Sequence, residues 1–232
     1  MRSVQGPVLI VVAHPDDEVL GCGATAARMA DAGTEVATCI VCGGAAARAR
    51  RPGDAELEQD LYEAHAALGI RVAAVGDFPN IRLNTVPHLE VVQFVEAALV
   101  ETGARTLFTH HPYDLNDDHL HTAKACRAAA RLFQRRDDVP RLEALYYMEV
   151  GSSTDWAFPG LGAPFQPDTF VEIGREGVDR KVRALSAYRD VMRDYPHSRS
   201  QEAIEGLAAH RGAQAGMRYA EAFETAFAVL TP

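Results

Sequence analysis

The chain has no long apolar run, few cysteines, one tryptophan and fewer basic than acidic residues, and each shortage closes off a class of protein. The longest apolar run near the N-terminus covers residues 8–13, far short of the roughly 20 residues that a membrane span needs. Only Arg2 supplies positive charge before that run, and Asp16, Asp17 and Glu18 follow it closely. That is not the layout of a signal peptide, so the expectation is a cytoplasmic protein. Four cysteines, Cys22, Cys39, Cys42 and Cys126, do not make a disulfide scaffold. Lys and Arg number 23 against 32 Asp and Glu, a formal net charge of -9, which argues against broad contact with nucleic acid or anionic lipid.

The remaining composition is that of a folded globular protein, with 47% hydrophobic and 24% charged residues over 232 positions. A chain of this length buries a core without needing a metal for stability, so a metal here would serve chemistry. With no repeat and no linker visible, residues 1–232 read as one domain. The nine histidines are unevenly spread: His110, His111, His119 and His121 crowd into one segment with Asp114, Asp117 and Asp118.

Buried strands are predicted over residues 7–13, 35–41, 71–75, 105–110 and 142–148, with a further strand over 169–173. Helices are predicted over residues 17–32, 55–68, 88–99, 120–133, 178–193 and 201–209. The alternation predicts an α/β fold, a Rossmann-like three-layer sandwich with a mainly parallel sheet. Residues 151–167, rich in Gly, Pro and Ser and carrying Trp156, read as a functional loop. Open sheets of this kind bind ligands at the carboxyl ends of their strands. Two such ends carry chemistry: Ala13-His14-Pro15-Asp16-Asp17-Glu18 and residues 110–119.

Three carboxylates directly after a buried strand repel one another unless a cation offsets them. Zinc accepts histidine nitrogen and carboxylate oxygen, and a catalytic site uses about three protein ligands plus water. His14 and Asp17 supply two ligands from one turn, and His119 is the natural third. Asp16 is then free to act as general base. The plainer alternative is that Asp16, Asp17 and Glu18 are first-turn acids favouring the helix dipole. Cys39 and Cys42 form a C-x-x-C by letter but read as core residues of a strand. Gly21 and Gly23 match a dinucleotide fingerprint by letter but fall inside a helix, where close packing explains them better.

Residues 13–18 resemble the AHPDDE signature of the LmbE/PIG-L-like zinc-dependent N-acetylglucosaminide deacetylases. Asp118-His119 is similar to that family's later Asp-His motif, and residues 78–85, 195–200 and 212–223 extend the resemblance over nearly the whole chain. It implies one Zn2+ per chain (other divalent transition metals being alternatives), bound by His14, Asp17 and His119, with Asp16 as base. The reaction implied is removal of an N-acetyl group from a small amino-sugar substrate. Many members carry a catalytic histidine where this chain has Asn116, which donates a hydrogen bond to an oxyanion but does not titrate. The resemblance offers His197 as a further catalytic candidate, a helix-capping surface histidine being the plainer reading. Arg82 lies in a resembling segment and is a candidate substrate contact; Arg48 and Arg199 read either as substrate contacts or as, respectively, part of a solvated basic loop and a side chain paired with a nearby acid. Asp114 and Asp118 read as supports behind the ligands. The resemblance also raises a homo-oligomer. The rival readings are a nucleotide-binding protein without hydrolytic activity and a metal amidase acting on a thiol conjugate.

Overall fold

The computed structural model describes residue 4 and residues 6–44, 53–160 and 162–230. A seven-stranded sheet runs in the order β3-β2-β1-β4-β5-β7-β6. Its strands are β1 (Val8–Val12), β2 (Val36–Ile40), β3 (Arg71–Val75), β4 (Thr106–His110), β5 (Ala144–Met148), β6 (Thr169–Glu172) and β7 (Ala220–Ala228). The first five are mutually parallel, and β7 runs antiparallel between β5 and β6. The helices are α1 (Asp17–Asp31), α2 (Asp54–Leu68), α3 (His88–Thr102), α4 (Asp117–Ala129), α5 (Gly174–Ala187) and α6 (Gln201–Ala215).

Every residue of β1, β2 and β4 is buried, because helices cover both faces of the sheet. Alternation sorts their side chains. Val8, Ile10 and Val12 join a core with Leu61, Leu68 and Leu185 beneath α1, α2 and α5. Leu9 and Val11 join the opposite core with Val95, Leu99 and Cys126 beneath α3 and α4. Each such fully buried side chain contributes about 1.5–3 kcal/mol. The outcome is the predicted three-layer sandwich.

The strand order reverses at β1: the chain moves outward from β1 to β2 and β3, then crosses back to place β4 on the other side of β1. Connections leaving β1 and β4 therefore diverge and open a crevice at their carboxyl ends. Both chemistry-bearing segments leave the sheet at that crevice.

Several helix boundaries differ from expectation. Helix α4 starts at Asp117, not Leu120, because the Asn116 side chain accepts a hydrogen bond from Asp118 N at 2.9 Å and caps it. Helix α5 occupies Gly174–Ala187 rather than residues 178–193, and α6 runs on to Ala215 before Gly216 adopts a left-handed conformation. Strand β7 is absent from the predicted elements: its sequence AEAFETAFA has almost no β-branched residue, and Ala and Glu favour helices. Most of the loop read over residues 45–53 lies outside the described residues.

Candidate metal centre

The turn after β1 is built around a strained aspartate. Asp16 has φ 102 and ψ -28, a left-handed conformation that costs a non-glycine residue on the order of 1–3 kcal/mol. It is held from both sides. Asp16 N donates to Glu18 Oε2 at 3.0 Å, and Asp16 O accepts from Val19 N and Leu20 N. Glu18 is anchored by the Tyr188 hydroxyl at 2.5 Å. Burial pushes the Glu18 pKa up to about 8, against the hydrogen bond from Tyr188. His14 N donates to Asp17 Oδ2 at 3.0 Å, closing the turn.

Three ligating groups converge on the crevice. His14 Nδ1 lies 3.2 Å and His119 Nε2 lies 3.1 Å from the same oxygen, Asp17 Oδ2. All three groups are buried or nearly so, with one ligand atom from each within 4.8 Å of the others. The remaining nitrogen of each ring is backed by a carboxylate: His14 Nε2 by Asp118 Oδ2 at 2.9 Å, and His119 Nδ1 by Asp114 Oδ2 at 3.2 Å. This is the carboxylate–histidine arrangement that fixes the tautomer of a metal-binding imidazole. His119 Nε2 is buried and makes no well-aligned hydrogen bond, although Asp17 Oδ2 lies 3.1 Å away inside the convergence. The donor set and that nitrogen fit a divalent ion such as zinc, which takes His nitrogen and carboxylate oxygen in this combination.

The electrostatics agree. Burial works against charge on His119, but Asp17 and Asp114 outweigh it and hold its pKa at about 10. Burial likewise raises Asp17 and Asp114, and the His119 charge more than reverses this, leaving Asp17 well below the usual carboxylate range and Asp114 at about 2. A positive charge between these two acids is thus strongly favoured, and a proton on His119 is one way to supply it.

The supporting residues come from loops. Asp114 accepts from Ser153 Oγ, from Thr154 Oγ1 at 2.8 Å and from Asn116 N at 2.9 Å. Asp118 accepts from Ile81 N at 2.6 Å and Leu83 N at 3.0 Å, so it ties His14 to the segment that follows β3. Ser153 and Thr154 lie in the irregular stretch after β5, and no spacing in the sequence identifies them. Cys42 is a buried core residue, as is Cys39, but it also borders the centre. Its Sγ lies 4.0 Å from Asp118 Oδ2, because the chain has left β2 and no longer alternates.

Asp16 faces Arg199, whose Nη1 lies 3.4 Å from Asp16 Oδ2 and whose Nε donates to Ser152 Oγ at 2.6 Å. His197 sits beside them, with its Nδ1 accepting from Arg199 N at 3.0 Å and its ring 5.5 Å from that of Trp156. Burial and the nearby Arg199 and Arg193 lower its pKa. Arg82 is exposed and is not brought to the convergence, although its neighbours Ile81 and Leu83 are pinned to Asp118. Arg48 lies outside the described residues.

The other histidines divide clearly. His110 accepts from Ala13 N at 2.8 Å and stacks on His119 at 3.8 Å, and burial lowers its pKa to about 3, so it braces the His119 ring as a neutral group. His111 is enclosed by Tyr113, Tyr147 and Phe165, and His121 pairs with Asp117 on the outer side of α4. Gly21 is a packing glycine: a Cβ there would lie 2.6 Å from Met148 Sδ. The strand-to-helix turn that a dinucleotide pyrophosphate would need is occupied by residues 14–18.

Comparison with known proteins places this geometry. The chain is 24% identical over 190 residues to the uncharacterized deacetylase YaiS of Escherichia coli, covering 78% of this chain and 90% of that one. The conserved protein TT1542 of Thermus thermophilus superposes with a TM-score of 0.77 at 28% identity, covering 97% and 96% of the two chains. The fold is shared with the 4-carboxy-2-hydroxymuconate hydratase GalB of Pseudomonas putida (TM-score 0.75, 19% identity, 97% and 98% covered). It is shared too with the N,N'-diacetylchitobiose deacetylase of Pyrococcus horikoshii (TM-score 0.71, 18% identity, 94% and 82% covered). Among the described residues no helix is long and apolar enough to cross a membrane. The family model for GlcNAc-PI de-N-acetylase matches residues 9–130, which include both chemistry-bearing strand ends, and the chain belongs to this PIG-L family of deacetylases.

Proposed function

We propose that the protein is a zinc-dependent hydrolase that removes the N-acetyl group from an amino sugar or N-acetylglucosaminyl conjugate in the cytoplasm. The observation that carries this reading is the convergence of His14 Nδ1 and His119 Nε2 on Asp17 Oδ2, with Asp16 on the same turn. His14, Asp17 and His119 would hold the metal, which when bound supplies Lewis-acid polarisation of the acetyl carbonyl and lowers the pKa of water.

The chain's own residues account for the proton movements. Asp16 takes the proton from the attacking water, and its strained backbone holds the carboxylate at the mouth of the turn. Arg199 pairs with that carboxylate at 3.4 Å. The C–N bond of the amide breaks as Asp16 returns the proton to the departing amine, leaving acetate and a free amino group. His197 suits hydrogen bonding better than proton delivery. Its Nδ1 accepts the Arg199 backbone N–H, so an imidazolium there would set two N–H groups against each other. It therefore offers Nε2–H to a substrate oxygen. Asn116 uses its Oδ1 on Asp118 N and keeps its amide N–H groups for the oxyanion.

The test is acetate release from a panel of N-acetylated sugars, nucleotide-linked sugars and thiol conjugates, with and without added zinc. Asp16→Asn should retain zinc and lose about 10²-fold to 10⁴-fold in turnover. Undiminished turnover in that variant removes Asp16 from the mechanism. Stoichiometric nucleotide binding without zinc would instead favour the non-hydrolytic reading.

A further inference from the structure

His14 has two ring nitrogens, and the structure gives each its own set of donors. Nδ1 faces Asp17 and His119, the set described above. Nε2 faces Asp118 Oδ2 at 2.9 Å, and Cys42 Sγ lies 4.0 Å from that same oxygen. His14, Cys42 and Asp118 thus form a separate group in which one ligand atom of each residue lies within 4.8 Å of the others.

The group is rigidly placed. Cys42 N donates to Ala13 O at 2.8 Å, next to His14, and Cys42 bridges to Asp77. Asp118 is fixed by the backbone amides of Ile81 and Leu83. With bonds of about 2.0 Å to N or O and about 2.3 Å to S, the ligand atoms of a tetrahedral zinc lie roughly 3.3–3.5 Å apart. Separations of 2.9 and 4.0 Å bracket that range, and the longer one suits a larger thiophilic ion. Pro79 O, 4.0 Å from Cys42 Sγ, adds an oxygen on the same side. Burial and the neighbouring carboxylates keep the free thiol protonated, its pKa pushed up to about 12, so Cys42 is inert until a cation draws the proton off.

We propose that His14 Nε2, Cys42 and Asp118 form a second site for a thiophilic divalent cation, and that filling it inhibits the enzyme. A metal–sulfur bond forms as the Cys42 proton leaves to solvent. Binding at Nε2 requires that nitrogen's lone pair, so any proton on the ring then sits on Nδ1, which faces Asp17 Oδ2. A neutral imidazole has one lone pair, so His14 serves one site at a time and occupation of the second withdraws it from the first. The binding half of this proposal stands by itself, and the inhibition half rests on the deacetylase reading.

The experiment titrates Cd2+ into the full chain after chelator treatment and follows the thiolate-to-cadmium charge-transfer absorption in the ultraviolet. The first donor set contains no sulfur and is silent. Wild type should show a band saturating near one equivalent, Cys42→Ser should lack it, and Asp118→Asn should need at least tenfold more Cd2+. Circular dichroism checks folding, and cadmium NMR of the wild-type complex reads one sulfur ligand without any variant. No band in wild type, a band that survives in Cys42→Ser, or a sulfur-free cadmium resonance would overturn the site. Absence of acetate release from every substrate would overturn the deacetylase reading and leave the band unaffected. With an active substrate in hand, Cd2+ should inhibit wild type at least tenfold more strongly than Cys42→Ser, and equal inhibition would refute the second half.

Discussion

Lys181 and Glu221 meet inside the protein at 2.7 Å, and what they hold is a break in the helix that carries Asp17. Cys22 departs from helical geometry at φ -150 and ψ 24, which divides α1 into two pieces. Each new end exposes backbone groups that need partners. Lys181 Nζ donates to Leu20 O at 2.7 Å, at the end of the first piece. Glu221 accepts from Ala24 N at 3.2 Å and Thr25 N at 2.7 Å, at the start of the second. The cation faces the carbonyl end and the anion faces the amide end, the favourable sense for both helix dipoles. Lys181→Met leaves a buried carboxylate without its cation and Leu20 O without a donor. Removing one partner of a buried pair costs about 3–5 kcal/mol. With m near 2–3 kcal/mol/M, a loss of about 4 kcal/mol lowers the urea midpoint by roughly 1.5 M. Adding Glu221→Gln removes the stranded charge; its one amide oxygen keeps the shorter bond, from Thr25 N, and gives up the longer one from Ala24 N. The double variant should therefore recover about 1–3 kcal/mol over Lys181→Met alone. A midpoint shift under about 0.3 M in Lys181→Met, or a double variant as costly as the two singles together, would refute this account of the break.

Three further outcomes follow from particular contacts. His65 is buried, donates from Nδ1 to Leu61 O at 2.7 Å and accepts from Thr38 Oγ1 at 2.8 Å, and burial lowers its pKa to about 4. The unfolded chain takes up that proton near pH 6.5 and the folded one does not, so stability is full above pH 6.5 and is lost as pH falls toward 4; between pH 7 and 4.5 the loss is about 2.5 kcal/mol, and urea midpoints of His65→Gln should lack that share. Gly21→Ala places a methyl 2.6 Å from Met148 Sδ and should cost about 1–3 kcal/mol by thermal or urea unfolding, with Met148→Ala in the same chain reducing the penalty. Asp114→Asn weakens the carboxylate support behind His119 and should lower zinc affinity about 10-fold to 100-fold in a chelator competition, whereas an unchanged affinity would reduce Asp114 to holding the loop.

The parts of this molecule that were legible in the sequence are those fixed by local pattern. Strands β1, β2 and β4 are continuous aliphatic runs because both faces are covered, and the carboxyl-end position of His14 and His119 follows from that topology. Strand β7 was illegible because its neighbours β5 and β6, not its own propensity, make it a strand. Glu221 on that strand was invisible for the same reason. Asn116 stood out for what it replaces, yet its side chain also caps α4, a role that can be seen only once the helix start is known. Ser153, Thr154 and Cys42 reach the centre through loop geometry that no period or motif encodes.

The formal net charge of -9 misdescribes the working end of the protein. Asp17 and Asp114 share His119, Asp118 has two backbone amides and His14, and Asp16 has Arg199. Glu18, with Tyr188 at its carboxyl group, has its pKa pushed up by burial and by the neighbouring acids. Asp16, Asp17, Asp114 and Asp118 thus each face a cationic or N–H partner, whereas Glu18 is accommodated by a raised pKa. A positive charge is favoured among His14, Asp17 and His119, whether a proton on His119 or a bound cation supplies it. Three acids in succession can therefore follow a fully buried strand: Asp16 faces Arg199, Asp17 faces His119, and burial pushes Glu18 toward its neutral form.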